Sequence, residues 1–406
     1  MLPTLAGFAN ATTWIVDINN GPGTSYLQIK DALAAAQAGD VILVRSGSYL
    51  ALNGGSAITK GVTIIGEGVV KVGTFGVNDI DVRFLPAGET FVAVNLQAYG
   101  WWFIQDAGCI TIRECKSTRA MTVSACADVR IQAMSSTNGG VSVSGSRVEI
   151  VDCVLYGLPG DSGQSCNSWW PASSGSPALS ASSNSVVHFV RSNARGGDGG
   201  FGPSPGNGGA GVAMSNSELW IDGSGSSTIQ GGYGGLADYC VSWLDGNNGV
   251  GLFASGGRVI RSGVTLLPQS WPNGGSSAPP SAALVLQNGA TDQVVTPDSP
   301  TLQFVNAPAA GTGGTFIVNA PPGSVVRLNL GREPQVLSTS GILVPNLLVK
   351  TQSIDLGVVP AQGFVTMRVG MWPHFALGDR FFSQAQVVIP SPFEVRRTAT
   401  ALVVVR

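Results

Sequence analysis

A short pattern of alternating apolar and polar residues recurs along residues 109–223. In each copy the second and fourth residues are apolar, and the residue between them is polar in most copies. The copies begin at Cys109, Asp128, Arg147, Val186 and Glu218. Alternation with a period of two residues predicts β-strands that bury one face.

The spacing of these strands predicts their arrangement. Thr111, Arg130 and Glu149, the middle residues of the first three copies, are 19 residues apart. The next two copies follow after longer intervals, which are rich in Gly, Ser, Asn and Pro. Strands that recur at a nearly constant interval, with loops inserted on one side, are typical of a solenoid.

The composition agrees with a folded chain that is rich in β-structure. Of the 406 residues, 44% are hydrophobic, which is too apolar for a disordered protein. Charged residues make up only 11%, against roughly 25% in a typical domain. The net charge of −2 argues against electrostatic binding to nucleic acid and gives no reason to expect an anionic membrane surface as a partner. The sequence contains no run of about 20 apolar residues, so it predicts no membrane-spanning helix.

Residues 1–11 have features of the end of a secretion signal. Residues 2–8 are largely apolar, and Ala9-Asn10-Ala11 has the small-x-small form of a signal-peptidase site. The basic region and most of the apolar region of such a signal are missing. We therefore expect the remnant of a secretory signal, with an ordinary frayed N-terminus as the alternative. The expected location is secreted, extracellular or at the cell surface.

The six cysteines do not define one disulfide framework, because six cysteines allow fifteen pairings. They occur at positions 109, 115, 126, 153, 166 and 240. A secreted chain permits disulfides, and free thiols buried inside the solenoid are an equal alternative. No C-x-x-C pair is present, and His188 and His374 are far apart in sequence, so no zinc site is expected.

The N-terminal residues resemble a known family. The predicted elements are, in order, a strand at 14–18, a helix at about 26–37, and strands at 41–44 and 62–66. The residues that carry the resemblance are Asp17, Gly21, Ile29, Ala32-Leu33, Gly39-Asp40, Ile42-Leu43-Val44, Gly47-Ser48-Tyr49 and Lys60 to Gly66. Their order resembles the N-terminal cap of pectin-lyase-like right-handed parallel β-helix proteins.

This resemblance implies an all-β chain with a single-stranded right-handed parallel β-helix over residues 12–290. The cap at 14–66 would cover the open end of the coil, where apolar side chains and strand edges are otherwise exposed. The superfamily includes lyases, hydrolases, epimerases, phage tailspikes and adhesins. The resemblance therefore predicts the architecture more strongly than the activity.

From residue 301 onward the sequence changes character. About eight short strands with turn residues between them predict a separate β-sandwich domain over 301–406, joined by a linker at 291–300. This part resembles, more loosely, the C-terminal β-sandwich of some secreted bacterial β-helix proteins.

Stacking the predicted strands in register brings polar residues into columns. The middle, outward-facing position carries Thr111, Arg130, Glu149, His188 and Trp220 in order along the axis. In β-helix lyases and hydrolases, outward-facing carboxylates and a basic residue carry catalysis. The resemblance therefore makes Arg130, Glu149 and His188 candidate catalytic residues. Arg130 or His188, beside Glu149, would abstract the C5 proton of a uronate whose charge is neutralised. The alternative is a set of surface residues whose salt bridge is worth about 0–1 kcal/mol.

Five further residues are candidates for ligand binding. Trp169 and Trp170 are adjacent in a Ser/Asn/Pro-rich loop and can offer flat apolar faces to a sugar. Their alternative role is to fold back and cover the coil. Trp220 extends the outward column, and a second column places Asp152 beside Arg191.

The Gly-rich loops are candidate Ca²⁺ sites, because carboxylates and backbone carbonyls are ligands for this ion. Asp198 lies in one of them, within Gly-Gly-Asp-Gly-Gly at 196–200. We expect instead that these glycines allow tight turns with positive φ. No other cofactor is expected.

Two functions follow from the sequence. The first is a secreted β-helix scaffold that acts as a structural or adhesive protein and binds a polysaccharide or a cell-surface or matrix component. The second is a polysaccharide lyase or glycoside hydrolase acting on an acidic polysaccharide. The clustered Asp motif of β-helix polygalacturonases and the Asp-and-Arg constellation of pectate lyases are not recognisable, so the sequence favours the first.

Overall fold

The computed structural model describes most of the chain in ranges separated by gaps. These ranges are 11–52, 57–73, 79–163, 171–237, 244–270, 280–294, 300–305, 314–331, 334–337, 346–348, 352–369, 380–390, 393–398 and 401–404. The expected signal remnant, apart from Ala11, lies outside the described residues. Trp169 and Trp170 also lie outside them.

Up to residue 294 the described chain contains one helix, α1 (Ile29–Ala35), and a series of strands, most of which are short. The strands are β1 (Thr13–Val16), β2 (Val41–Val44), β3 (Gly47–Tyr49), β4 (Thr63–Gly66), β5 (Val70–Val72), β6 (Ile80–Arg83), β7 (Thr90–Val94), β8 (Gln97–Ala98), β9 (Trp101–Ile104), β10 (Cys109–Arg113), β11 (Lys116–Ser117), β12 (Met121–Ser124), β13 (Asp128–Gln132), β14 (Ser135–Ser136), β15 (Val141–Ser144), β16 (Arg147–Val151), β17 (Val154–Tyr156), β18 (Leu179–Ser182), β19 (Val186–Val190), β20 (Asn193–Arg195), β21 (Val212–Gln230), β22 (Leu252–Leu267), β23 (Leu284–Gln287) and β24 (Thr291–Val294).

These strands pair in parallel and form three ladders. The first ladder contains β1, β2, β4, β7, β10, β13, β16, β19, β21, β22 and β24. The second contains β3, β5, β8, β11, β14, β17, β20 and the ends of β21 and β22. The third contains β6, β9, β12, β15, β18, β21, β22 and β23.

From β7 to β20 the chain visits the three ladders in a fixed order, first, second and third. We call one such set of three successive strands a rung. The predicted all-β class is confirmed, and the parallel, repeating pairing is compatible with a solenoid.

The inward-facing side chains of the three ladders belong to one hydrophobic cluster. Ile131 from the first ladder, Leu155 from the second and Val143 from the third are all members and are buried. The largest fully buried side chains in the cluster are Trp101, Phe91, Phe103 and Phe189. Burial of each large apolar side chain stabilises the fold by about 1.5–3 kcal/mol. The alternation in the sequence marks the residues that face this cluster.

Helix α1 packs against β1 and β2 at the start of the ladders. Its residues Ile29 and Ala32 are buried in the same cluster as the strands that follow. The carboxylate of Asp40 accepts hydrogen bonds from the Trp14 indole at 3.0 Å and from the Thr12 amide at 2.8 Å. The predicted helix is therefore confirmed with narrower bounds. No helix in the described ranges is long and apolar enough to cross a membrane.

Each regular rung turns at two residues with left-handed backbone conformation. After strands of the first ladder these are Asn95, Glu114, Ala133, Asp152 and Arg191. After strands of the third ladder they include Phe84, Gln105, Ala125, Gly145, Asn216 and Asn288. This conformation costs roughly 1–2 kcal/mol for a residue with a Cβ atom, and less for Asn. The repeated corner conformation is thus imposed by strand stacking rather than by local preference.

The Gly-rich insertions form a compact bundle of extended segments. The segments are 157–163, 172–178, 195–202, 204–211, 230–237 and 245–251, and together we call them the glycine bundle. Their hydrogen bonds repeat every third residue. Gly157, Gly160 and Gly163 donate to the carbonyls of residues 195, 198 and 201, at 2.9, 2.7 and 2.7 Å. A period of three residues, with hydrogen bonds between segments, resembles that of polyproline II helices, which have three residues per turn and no internal hydrogen bonds.

Close packing explains why these segments need glycine. A Cβ atom on Gly197 would lie 2.0 Å from the carbonyl oxygen of Leu158, and one on Gly200 would lie 2.0 Å from that of Asp161. No side chain fits at such distances. None of the bundle glycines has a positive φ. The expectation that these glycines serve tight turns is therefore wrong, because they serve close contact between backbones.

The described chain from residue 301 onward forms antiparallel sheets. Its strands are β25 (Thr301–Val305), β26 (Gly314–Asn319), β27 (Val325–Gly331), β28 (Pro334–Leu337), β29 (Asn346–Leu348), β30 (Gln352–Val358), β31 (Phe364–Val369), β32 (Arg380–Pro390), β33 (Phe393–Arg397) and β34 (Ala401–Val404). One sheet has the order β25-β26-β31, and another has β30-β27-β32-β33 with β34 paired to β32. Phe316 from the first and Leu328 from the second share one hydrophobic cluster.

The left-handed corner residues predict a gain in stability from glycine. Ala125 (φ 54°) and Ala133 (φ 50°) are both exposed, so Ala125→Gly and Ala133→Gly remove no packing. We expect each change to raise the free energy of unfolding by about 0.5–1 kcal/mol, because glycine adopts positive φ without strain. Urea-induced unfolding measures the effect. The control is Ala127→Gly, at an exposed residue that does not have a positive φ. This change should lower the free energy of unfolding by about 0.5 kcal/mol, because glycine makes the unfolded chain more flexible. Equal losses in all three variants would contradict the argument.

Candidate functional site

Five outward-facing residues of the first ladder stack in register. Thr111 pairs with Arg130, Arg130 with Glu149, Glu149 with His188, and His188 with Trp220. The stacking predicted from the 19-residue spacing is confirmed, and it continues across the long insertions. We call Arg130, Glu149 and His188 the polar column.

The polar column is buried. Arg130, Glu149 and His188 are each 3% exposed, although they point away from the central cluster. Apolar residues on the same outer face, such as Val92 and Val151, are buried as well. Strand β28, from the C-terminal sheets, lies against β13. The expectation of a polar column on an exposed face is wrong, because the outer face of the first ladder is covered in the folded chain.

Arg130 and Glu149 form a buried ion pair. Two guanidinium nitrogens of Arg130, Nε and Nη2, contact Oε2 of Glu149. The alternative of an ordinary surface salt bridge is therefore also wrong. Asp128 lies on the same strand as Arg130, and burial raises the pKa of Asp128 to about 7 against the opposing charge of Arg130. Loss of one partner from such a pair is strongly destabilising, because a charge then stays buried without its counter-charge.

His188 has an environment that keeps its imidazole neutral. Its ring stacks on Trp220 with centroids 5.7 Å apart and an angle of 16° between the planes. Burial lowers the pKa of His188 to about 3. Within the described residues its Nε2 atom has no hydrogen-bond partner. A general base must be within hydrogen-bonding distance of its substrate, and in this structure only 3% of His188 is exposed.

Asp152 and Arg191, predicted to bind a ligand, bind each other. Arg191 donates from Nε and Nη2 to the two carboxylate oxygens of Asp152, at 2.8 and 2.7 Å. Both residues occupy left-handed corners of consecutive rungs. This bidentate pair joins two rungs at the surface, where such bridges contribute about 0–1 kcal/mol.

Trp220 is half-buried and held by charged neighbours. Its indole nitrogen donates to Glu218, and Arg258 lies 5.6 Å from the centroid of its ring. Arg258 also contacts Glu218 at 3.3 Å. With His188 stacked on it, Trp220 is part of a packed cluster. Trp169 and Trp170 lie outside the described residues, so their predicted role stays a prediction.

The candidate Ca²⁺ ligand Asp198 has other partners. It accepts a hydrogen bond from the Tyr233 amide at 2.8 Å and pairs with Arg195 at 3.0 Å. No three His, Cys, Asp or Glu side chains converge as a metal site in the part of the chain that the structure describes.

The corners after the third ladder contain a stack of buried polar side chains that sequence reasoning missed. Asp106 accepts a hydrogen bond from the Leu85 amide at 2.7 Å, and Ser146 accepts one from the Cys126 amide at 2.9 Å. Each side chain thus satisfies the backbone of the preceding rung. Burial raises the pKa of Asp106 to about 6, against the effect of the Leu85 hydrogen bond. Asp106, Cys126 and Ser146 follow one another at intervals of 20 residues, and this regular interval was the available signal.

The cysteines within the described ranges, Cys109, Cys115, Cys126 and Cys153, are thiols rather than members of a disulfide bond. Burial raises the pKa of the Cys115, Cys126 and Cys153 thiols to about 12. For Cys115, Cys126 and Cys153 the alternative of buried thiols is correct, whereas Cys109 is partly exposed.

A groove of about 760 Å³ lies on the outer face of the second ladder. Lys71, Tyr99, Arg119, Asn138 and Leu158 are among the residues that line it. The Arg119 guanidinium lies 4.8 Å from the centroid of the Tyr99 ring. Sequence reasoning missed this groove, because strands of two or three residues are too short to display an alternating pattern.

Neither a protein-family model nor a curated protein matches the chain. The resemblance to pectin-lyase-like proteins therefore rests on the N-terminal residues and on the strand pattern. Activity has to be argued from the side chains, because one fold hosts many functions.

The buried ion pair of the polar column predicts that mutations of Arg130 and Glu149 have non-additive effects on the free energy of unfolding. Glu149→Leu leaves the Arg130 guanidinium buried without this carboxylate, and Arg130→Met leaves Glu149 without the guanidinium. We expect each single change to cost about 3–5 kcal/mol of unfolding free energy, and the double variant to cost less than either. Urea-induced unfolding of the four proteins measures the coupling.

The matched control is the exposed pair formed by Asp152 and Arg191. Asp152→Asn keeps a residue that tolerates the left-handed corner and should cost no more than about 1 kcal/mol. A Glu149→Leu cost equal to that of Asp152→Asn would contradict the burial of the polar column.

Two buried groups predict pH effects of opposite sign. The folded-state pKa of Asp106 is raised to about 6, so its contribution to stability is present below about pH 4 and is lost as the pH rises through 6. The folded-state pKa of His188 is lowered to about 3, so the unfolded state binds more protons below pH 6.5. His188 therefore lowers stability as the pH falls from 6.5 toward 3.

Thermal unfolding between pH 4 and pH 8 tests both signs. At pH 8 the Asp106→Asn variant should be more stable than the wild type, because it carries no buried carboxylate. This difference in unfolding free energy, on the order of 2 kcal/mol, should disappear as the pH falls to 4. The His188→Gln variant should become more stable relative to the wild type as the pH falls from 8 to 4, because it lacks the buried imidazole. Parallel curves for all three proteins would show that neither group is buried as described.

Proposed function

We propose that this protein is a non-catalytic scaffold, secreted or displayed at a cell surface, with a structural or adhesive role. Its partner in this role is a polysaccharide or another cell-surface or matrix component. The proposal follows from what the candidate catalytic residues contact and from how the strands are arranged.

The architecture that we propose is a right-handed parallel β-helix over residues 12–290, followed by a linker at 291–300 and a β-sandwich over 301–406. Three features support the β-helix: the fixed order in which strands visit the ladders, the single cluster that collects inward side chains from all three ladders, and the packing of α1 against the first strands. Two antiparallel sheets that share one hydrophobic cluster support the sandwich.

The burial of the polar column is the observation that carries the non-catalytic proposal. An enzyme that cleaves a polymer needs its acid, base or nucleophile in contact with the substrate. Arg130 and Glu149 neutralise each other out of solvent, and His188 is stacked on Trp220. These contacts are typical of side chains that hold rungs and covering elements together.

The competing function is a lyase or glycoside hydrolase that acts on an acidic polysaccharide. Such an enzyme would require the outer face of the first ladder to open and admit a sugar chain. It would also require Glu149 to exchange Arg130 for a substrate group. A direct assay of turnover separates the two functions.

The full-length protein is incubated with polygalacturonate, alginate and hyaluronate, each compared with its neutral or esterified form. We expect neither the ultraviolet absorbance of an unsaturated product nor new reducing ends with any polymer. Product that disappears in the Glu149→Gln and His188→Gln variants, with both variants still folded, would establish the enzyme and overturn the scaffold. Circular dichroism of both variants verifies that they are folded.

A further inference from the structure

The outer face of the second ladder has a cationic part and an apolar part that adjoin. The cationic part consists of Lys71, Lys116 and Arg119, and the apolar part consists of Val154, Tyr156 and Leu158. We call these six residues the second-ladder face. Lys71, Arg119 and Leu158 also line the groove of about 760 Å³, so the face is concave along part of its length.

Strand register fixes the length of this face. Lys71, Gln97, Lys116, Ser135 and Val154 occupy the same outward position on five consecutive rungs. Four steps of about 4.8 Å place Val154 roughly 19 Å from Lys71 along the axis. An extended peptide of about six residues covers the same distance.

The charges of the cationic part are available to a partner. Lys71, Lys116 and Arg119 are exposed. In the part of the chain that the structure describes, none of the three forms an ion pair. By contrast, the nearby Arg113 forms an ion pair with the carboxylate of the adjacent Glu114, at 2.9 Å. Arg119 stacks on Tyr99, which positions the guanidinium while leaving its edge free to donate hydrogen bonds.

The apolar part favours a protein over a sugar chain as the partner. Val154, Tyr156 and Leu158 are 37%, 40% and 45% exposed, and they follow one another along a single stretch of chain. Each of these side chains removes apolar surface from water when a partner packs against it, which favours association. Two of the three are aliphatic, and they gain most by burial against apolar side chains rather than against hydroxyl-rich sugars.

We propose that the second-ladder face docks an extended segment of a partner protein that is acidic at one end and apolar at the other. Carboxylates of the segment pair with Lys71, Lys116 and Arg119, and its apolar side chains cover Val154, Tyr156 and Leu158. This proposal rests on the scaffold function above and names the class of partner. The segment spans about six residues or more.

Selection from a displayed library of random peptides of about ten residues, with the full-length protein as bait, tests the proposal. We expect enriched peptides that combine Asp or Glu with apolar residues in separate halves. A labelled synthetic copy of an enriched peptide is then titrated by fluorescence anisotropy. Lys71→Gln/Arg119→Gln and Tyr156→Ser/Leu158→Ser should each weaken its binding by about tenfold or more. Added salt should weaken binding to the wild type and have less effect on the charge variant.

The matched control is Lys30→Gln/Arg368→Gln, which removes the same charge from exposed residues elsewhere and should bind within about twofold of the wild type. Enrichment of peptides without acidic residues, or equal binding by all variants, would overturn the proposal. Polygalacturonate binding that is lost in Lys71→Gln/Arg119→Gln, with no peptide enriched, would instead make the face a glycan site. Any of these results leaves the scaffold function standing, since that function fails only if the protein turns over a polysaccharide.

Discussion

Parallel hydrogen bonding between successive rungs is the constraint on which the rest of this structure depends. Once two rungs pair in register, each residue lies directly over the equivalent residue of the preceding rung. Inward positions must then be apolar, and corner positions must share one conformation. Polar side chains that are buried at corners must bind the backbone of the adjacent rung, as Asp106 and Ser146 do. Local preference is secondary, since Glu114 and Arg191 adopt a backbone conformation that neither favours.

The glycine bundle follows the same rule with a different period. Its segments lie between strands of the second ladder and strands of the third. They stack on one another as the strands do, with hydrogen bonds at every third residue instead of every second. The backbones of these segments lie so close together that a Cβ atom at Gly197 or Gly200 would overlap a carbonyl oxygen. The insertions therefore extend the stacked architecture outward, and their composition is a packing requirement.

Sequence reasoning identified what periodicity encodes directly. Alternation and the 19-residue interval gave the strands of the first ladder and the stacking of Arg130, Glu149 and His188. Alternation distinguishes the two faces of a strand, but it does not reveal whether the outer face is covered by another part of the chain. The burial of the polar column was therefore invisible in the sequence. The glycine bundle was missed because glycine is suited both to turns and to close packing of backbones. The groove on the second ladder was missed because the strands of that ladder are too short to show a period.

The buried ion pair of the polar column is better explained by register than by net stabilisation. A charge pair removed from water recovers little more than its desolvation cost, so apolar residues of similar size would stabilise the first ladder at least as well. A slip of one residue in β13, however, would turn Arg130 into the apolar cluster and leave Glu149 buried without it. Alternative alignments are thereby penalised by several kcal/mol each. In a stack of nearly equivalent strands, where apolar residues alone distinguish neighbouring alignments poorly, such a pair specifies one of them.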